Sequence, residues 1–213
     1  MDTTLPWLLD LETGLLAAAL LLALWLRPWR LMAGSALLSP VLGCLVLLPG
    51  LWALPSLHAM PLQLQWSGAC LALLMLGWPL AVPVLTTVAI LAGLLAKLPP
   101  SAMIDMAFWQ GVLPATLALL LGAAIRRWIG PHLFVYTLGR AFLGTVLCNF
   151  AATLLGQWLG HELPGVGGDL SIIAHWLMAW ADGFMTGMLA AIFVAFRPQW
   201  LATWSDGLYL KRP

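Results

Sequence analysis

Charged residues are scarce in this chain. Only 8% of its 213 residues are Asp, Glu, Lys or Arg, whereas 62% are hydrophobic. Soluble domains are about one quarter charged, so this composition provides too little polar surface for a water-soluble fold. The basic residues are spread along the chain and are not gathered into a patch, and the net charge is only +1. We therefore expect a protein of the lipid bilayer with no nucleic-acid partner.

Several motifs of enzymes are also missing. The sequence contains no phosphate-binding glycine loop, no nucleotide motif and no Cys-x-x-Cys pair, so we expect that the chain does not hydrolyse ATP by itself and is not an enzyme. Its three cysteines, Cys44, Cys70 and Cys148, all lie in apolar runs. Structural disulfides are therefore not expected.

Long apolar runs are what the chain does contain. Seven spans of about 20 residues would use about 140 residues, which leaves only short connections and predicts one transmembrane domain over residues 1–213. The predicted fold is an all-α bundle of about seven transmembrane helices. The third helix, within 67–76, is too short to span and is broken at Gly77-Trp78-Pro79. Such interrupted segments often line binding sites, and a tight helical hairpin is the alternative.

The basic residues predict the orientation. When the seven runs alternate across a membrane, eight of the nine Lys and Arg residues fall on one side and Lys97 falls on the other. Short loops that carry Lys and Arg stay in the cytoplasm. The N-terminus is therefore predicted to lie outside and the C-terminus inside, with residues 197–213 forming a cytoplasmic interfacial tail.

A stripe of polar and sulfur-containing residues follows the seventh span. His175, Met178, Asp182 and Met185 stand at positions i, i+3, i+7 and i+10, a spacing typical of one helix face. Imidazole, thioether and carboxylate groups can together bind a transition-metal ion. The alternative is ordinary packing by the methionines and a hydrogen bond from Asp182 to a neighbouring helix.

A second group of candidate ligands lies in the predicted outer loops and near the N-terminus. A cation could be attracted there before transport by His58, Asp105, His161, Glu162 and Asp169, together with the N-terminal acids Asp2, Asp10 and Glu12. A hydrated acidic rim without a ligand is the alternative.

Two further sets of residues are candidates for contacts inside the membrane. Arg140 and Asn149 give the sixth span a polar face. Small residues that would allow helices to approach closely occur in the first and seventh spans: Gly14, Ala18, Ala19, Ala23, Gly183 and Gly187.

The order of these elements resembles the cobalt/nickel-type (CbiM-like) membrane subunits of energy-coupling-factor ABC transporters, in an uncharacterised bacterial branch. The resemblance rests on the segments 66–72, 76–79, 103–106, 134–136, 182–188 and 197–203, with Asp206 and residues 209–210. It implies a multi-pass protein of the bacterial cytoplasmic (inner) membrane. It also implies a permease subunit that binds the substrate and works with a coupling membrane subunit and ATPase subunits. The substrate that the resemblance suggests is a transition-metal ion.

The chain departs from this family at the metal ligands. Metal-binding members begin with Met-His and use a second histidine in the loop before the short helix, whereas this chain has Asp2 and, in that loop, Gln65 and Trp66. No metal ligand can be carried over, and the cofactor or substrate is left open. Two other functions remain open as well: a non-transporting assembly or scaffold subunit, and a membrane redox protein with haem between His161 and His175.

Overall fold

The computed structural model describes residues 6–32, 34, 36–57, 66–161 and 168–209. Within these ranges the chain is helical and contains no strand. The helices are α1 (Pro6–Trp25), α2 (Leu38–Leu57), α3 (Ala69–Leu76), α4 (Trp78–Ala96), α5 (Pro100–Trp128), α6 (Val135–Trp158), α7 (Gly168–Phe196) and α8 (Asp206–Tyr209).

Among the described residues, five helices are long and apolar enough to cross a membrane, namely α2, α4, α5, α6 and, over Leu170–Phe196, α7. Large apolar side chains on their outer surfaces are well exposed, including Leu47 at 64% and Leu94 at 63%. Such surfaces are stable against lipid and not against water. The prediction of an all-α, multi-pass membrane protein is therefore confirmed at this level.

Prolines lie inside α2 and at the start of α5. The helix α2 continues to Leu57 with Pro49 and Pro55 inside it. Proline is tolerated in membrane helices because neighbouring helices satisfy the carbonyl groups that it leaves free. The helix α5 begins at Pro100, because proline is favourable in the first turn of a helix, where its missing N–H costs nothing.

The short helix α3 occupies only part of the depth of the bundle. All eight of its residues are buried, and at about 1.5 Å per residue it is about 12 Å long, against about 30 Å for a hydrocarbon core. The backbone N–H groups just before it, of Ser67 and Gly68, donate to Asp182 at the midpoint of α7. Its final carbonyls, of Leu74 and Met75, accept hydrogen bonds from residues that follow the end of α7. Thus α3 extends from mid-depth to one end of the bundle.

The residues after α7 pack beneath α3. The backbone N–H of Thr203 donates to Leu74 O at 3.3 Å, and the Thr203 hydroxyl bonds to the hydroxyl of Tyr136 on α6 at 2.9 Å. The Tyr136 ring lies 4.8 Å from the ring of Trp204 and 5.1 Å from that of Tyr209, between ring centroids. This part of the predicted interfacial tail is therefore attached to the bundle itself.

Two glycines of α7 allow it to approach α6 closely. A methyl group on Gly183 would overlap the Val146 side chain and press on the Phe142 carbonyl, and one on Gly187 would press on Phe142. Gly14 of α1, in contrast, has open space around it.

Replacement of Gly183 by alanine should therefore destabilise the protein by about 1–3 kcal/mol, because α6 and α7 must separate. The matched control is Gly14→Ala, which adds the same methyl group at an open helical position and should be neutral or slightly stabilising. Thermal unfolding of the purified protein in detergent measures both. Equal melting temperatures for the two variants would contradict the close packing.

Candidate cation site and its cavity

The helix α3 is too short to pass through the whole bundle, and the bundle contains a cavity of about 480 Å³. Ser67 and Asp182 line it beside the start of α3, and Asp105 and His161 line it near the ends of the connecting segments. Its remaining wall residues are Ser56, Leu98, Ala102, Met106, Trp109, Gln110, Pro114, Asn149, Ala152, Thr153, Gly156, His175, Met178 and Ala179. The lining of the cavity is therefore a mixture of polar and apolar side chains.

The first polar group, here called the mouth cluster, consists of Glu12, Asp105 and His161. His161 Nε2 lies 2.8 Å from Asp105 Oδ1 and 3.4 Å from Glu12 Oε1. One potential ligand atom from each residue lies within 4.8 Å of the others. Glu12 is only 3% exposed although it carries a carboxyl group, and the Trp109 indole N–H donates to its Oε1 at 2.8 Å. The mouth cluster thus joins α1, α5 and the end of α6.

The end of α6 places His161. The N–H of Gly160 donates to Gln157 O and the N–H of His161 donates to Gly156 O, the pair of bonds that defines a Schellman helix end. Gly160 has φ +93°, a left-handed conformation in which glycine carries no steric penalty. The chain therefore turns sharply after α6, and the imidazole lies beside the Trp109 ring, with centroids 5.0 Å apart.

A wide helical turn in α5 supplies another part of the wall. Residues Met106–Val112 form a π-helix. This conformation is rare in proteins, and where it occurs it is often found at functional sites. Pro114 has no N–H to give to the carbonyl of Gln110 four residues earlier. That carbonyl instead accepts a hydrogen bond from the Ser67 hydroxyl at 2.7 Å. The same segment carries Trp109 and Gln110, both of which line the cavity.

The electrostatics of the mouth cluster favour positive charge. The hydrogen bond that the His161 imidazole donates to Asp105, and then the negative charges of Asp105 and Glu12, raise the pKa of His161 above its ordinary value of 6.5, against the opposing effect of burial. Two carboxylates and one imidazole are also ligands that divalent transition-metal ions accept. The mouth cluster can therefore hold either a proton on His161 or a metal cation.

Asp182 has a different set of partners. Its Oδ2 accepts from Ser67 N at 3.1 Å and from Asn149 Nδ2 at 2.6 Å, and its Oδ1 accepts from Gly68 N at 3.4 Å. The side chain is 2% exposed. Because these donors already occupy the carboxylate, we interpret Asp182 as the group that holds the start of α3, and not as a metal ligand. This is the hydrogen-bonding alternative that the sequence left open.

Ser67 is attached on three sides. Besides its N–H on Asp182 of α7 and its hydroxyl on Gln110 of α5, its carbonyl accepts from the Trp52 indole of α2 at 2.9 Å. The floor of the cavity is therefore connected to α2, α5 and α7 through one residue.

The predicted stripe on α7 divides into two groups. His175 and Met178 are buried and line the cavity with Asp182, whereas Met185 is 42% exposed and is not among the lining residues. The cause is geometric, since a spacing of ten residues at about 100° each drifts by about 80° around the helix.

The other candidates are scattered. Arg140 of α6 lies over the Tyr136 ring, with its Cζ 5.7 Å from the centroid, and Gly122 of α5 leaves room for its guanidinium. On α1, Gly14 and Ala18 are exposed, Ala19 is half-buried and Ala23 is buried. His58 and Glu162 lie outside the described residues.

Sequence reasoning included Glu12 only as one of several N-terminal acids, and it missed Trp109 and Gln110. An acidic residue inside the apolar run of α1 is a signal that could have selected Glu12, because a carboxylate in such a run is costly unless it has a partner. No comparable signal exists for the other two, because their position depends on the packing of α5.

Comparison with protein-family models, with curated proteins and with solved structures finds no match to this chain.

Replacing Asp182 by alanine should release the start of α3. It leaves three donors without their acceptor, each at a cost of about 1–3 kcal/mol when buried. Cys70, which is 1% exposed on α3, should then react with maleimide in a background where Cys44 and Cys148 are alanine. Met185→Ala, on the exposed face of the same helix, is the control and should leave Cys70 protected. Continued protection in Asp182→Ala would contradict this role.

The stability contributed by His161 should depend on pH. Because its pKa is raised in the folded protein, the contribution is fully present below the ordinary value and is lost as the pH rises through the raised value. The melting temperature of the wild type should therefore exceed that of His161→Gln most at about pH 6 and least at about pH 9. His132→Gln, which alters an exposed histidine, is the control. A difference that grows with pH would refute the assignment.

Proposed function

We propose that this chain is the membrane-embedded substrate-binding (permease) subunit of an energy-coupling-factor-type importer, and that its substrate is a transition-metal ion. The observation that carries the proposal is the mouth cluster. Two carboxylates and an imidazole lie within 4.8 Å of one another and adjoin a cavity of about 480 Å³ in a bundle of apolar helices. The resemblance to cobalt/nickel-type subunits agrees with this reading but supplies none of these ligands.

The types of ligand in the mouth cluster favour a transition-metal ion over magnesium or calcium. Imidazole nitrogen suits zinc, nickel, copper and iron, whereas magnesium and calcium prefer sites made wholly of oxygen. His161 supplies the nitrogen, and Glu12 and Asp105 supply one oxygen each. The half-buried position of His161, 18% exposed at its side chain, would allow an ion to enter from one end of the bundle.

The proposed topology has seven crossings, with the N-terminus outside, the C-terminus inside and α3 as the short third element. The distribution of Lys and Arg supports this orientation. In this orientation the mouth cluster would lie on the outer side of the bacterial cytoplasmic membrane, where an importer captures its substrate. Energy would come from separate ATPase subunits through a coupling membrane subunit. Gly14 and Ala18, on the exposed side of α1, offer a surface for that contact.

A haem-binding redox protein is less well supported. His161 and His175 do line one cavity, but His161 Nε2 faces two carboxylates at 2.8 and 3.4 Å. A haem iron would have to replace both contacts.

The proposal predicts that the purified protein binds a divalent transition-metal ion through the mouth cluster. Asp105→Asn should lower the affinity for Ni²⁺ or Co²⁺ about tenfold or more, because it removes a charged ligand at the site. Isothermal titration calorimetry in detergent measures this. The matched control is Asp10→Asn, which removes the same charge from an exposed position two residues before Glu12 and should change the affinity by less than about twofold.

Equal losses in both variants would indicate a diffuse acidic surface and not a site. Absence of binding to any transition metal would overturn the proposal. In that case, recovery of partners without ATPase subunits from native membranes would favour a scaffold subunit.

A further inference from the structure

The cavity has a second group of polar atoms that do not belong to the mouth cluster. Among the described residues, His175 Nδ1 and Gln110 Nε2 are buried and have no hydrogen-bond partner. His175 is only 8% exposed, and both residues line the same cavity as the mouth cluster. We call these two residues the inner pair. Buried polar groups of this kind normally have partners, so the inner pair is suited to a polar ligand.

The size of the cavity does not match a bare ion. At about 480 Å³ it falls in the range of about 300–1,000 Å³ that is typical of sites for small organic molecules. A single metal ion at the mouth cluster would leave most of this volume to other atoms. Part of the wall is the Trp109 ring, an apolar surface that suits carbon atoms better than a hydration shell.

The mouth cluster also provides too few ligands for a complete coordination sphere. Glu12, Asp105 and His161 each offer one ligand atom, while six-coordinate ions such as Ni²⁺ or Co²⁺ have three further positions. A small tridentate chelator would fill those positions and extend into the cavity. Its carboxylate oxygens could accept a hydrogen bond from the Gln110 amide, and the His175 imidazole can donate or accept.

We propose that the substrate is a metal chelate, in which the mouth cluster binds the ion and the inner pair binds an amino-acid-type chelator that stays on it. This inference rests on the proposed function, because it requires a metal ion at the mouth cluster. The one-to-one complex of a divalent ion with a monoanionic amino acid keeps a net positive charge, which complements the two carboxylates of the mouth cluster.

The test compares three titrations of the purified full chain by calorimetry: Ni²⁺ alone, the preformed one-to-one complex of Ni²⁺ with L-histidine, and L-histidine alone. The complex should bind at least about tenfold more tightly than the ion, a difference that corresponds to one good charge-assisted contact or two neutral ones. Free L-histidine should bind weakly or not at all.

Substitutions of the inner pair separate the two parts of the site. Gln110→Met and His175→Phe keep side-chain volume but remove the polar atoms, and should weaken binding of the complex about tenfold while binding of Ni²⁺ alone changes less than about twofold. Thr153→Val is the matched cavity control. The Thr153 hydroxyl already donates to carbonyls of its own helix, so its loss should alter neither titration. Each variant is first checked for an unchanged melting temperature.

Each result has a distinct meaning. Equal affinity for the ion and the complex, or equal effects of the inner-pair variants on both, would overturn the chelate proposal and leave metal capture standing. Failure of both forms to bind would overturn the proposed function as well. If Gln110→Met and His175→Phe do not fold, the three wild-type titrations still decide between ion and chelate.

Discussion

The interior of this protein depends on Asp182, whose carboxylate accepts three hydrogen bonds. It joins the midpoint of α7 to the backbone before α3 and to Asn149 of α6. A carboxylate in the apolar interior of a membrane protein is costly unless such donors surround it. The donors in turn would be unpaired without it. The start of the short helix is therefore held at mid-depth by a mutual requirement, and the cavity lies beside that point.

The functional geometry follows from this position of α3. Because Ser67 is attached to α2, α5 and α7 at once, the cavity floor belongs to the rigid part of the bundle. The mouth cluster, in contrast, is assembled from a helix near the N-terminus, the start of α5 and the turn after α6. The site therefore combines a floor held by three helices with a cluster drawn from three separate chain segments.

The sequence was sufficient for the coarse architecture and insufficient for the partners of polar residues. Composition and apolar run length predicted helices that cross a membrane, and the Gly77-Trp78-Pro79 break predicted the short α3, because these properties are local. The division of the α7 stripe, with Met185 outside and His175 inside, depends on which face of α7 meets α6. The proximity of Glu12 to His161 depends on contacts between residues 149 positions apart, and no spacing rule applies to them.

The sequence by itself determined two properties of this protein. It indicated a lipid environment, because 8% charged and 62% hydrophobic residues exclude a water-soluble fold. It also indicated one helix that is too short to span a membrane. The tertiary structure alone decided which polar residues of the described chain have partners within the fold and which do not. Asp182 and His175 look equivalent in the sequence, because they lie about two turns apart on one helix. Packing nevertheless supplies the first with three donors and leaves an atom of the second without a partner among the described residues. The physical reason is that a buried polar group acts according to its neighbours in space, and those are set by helix packing.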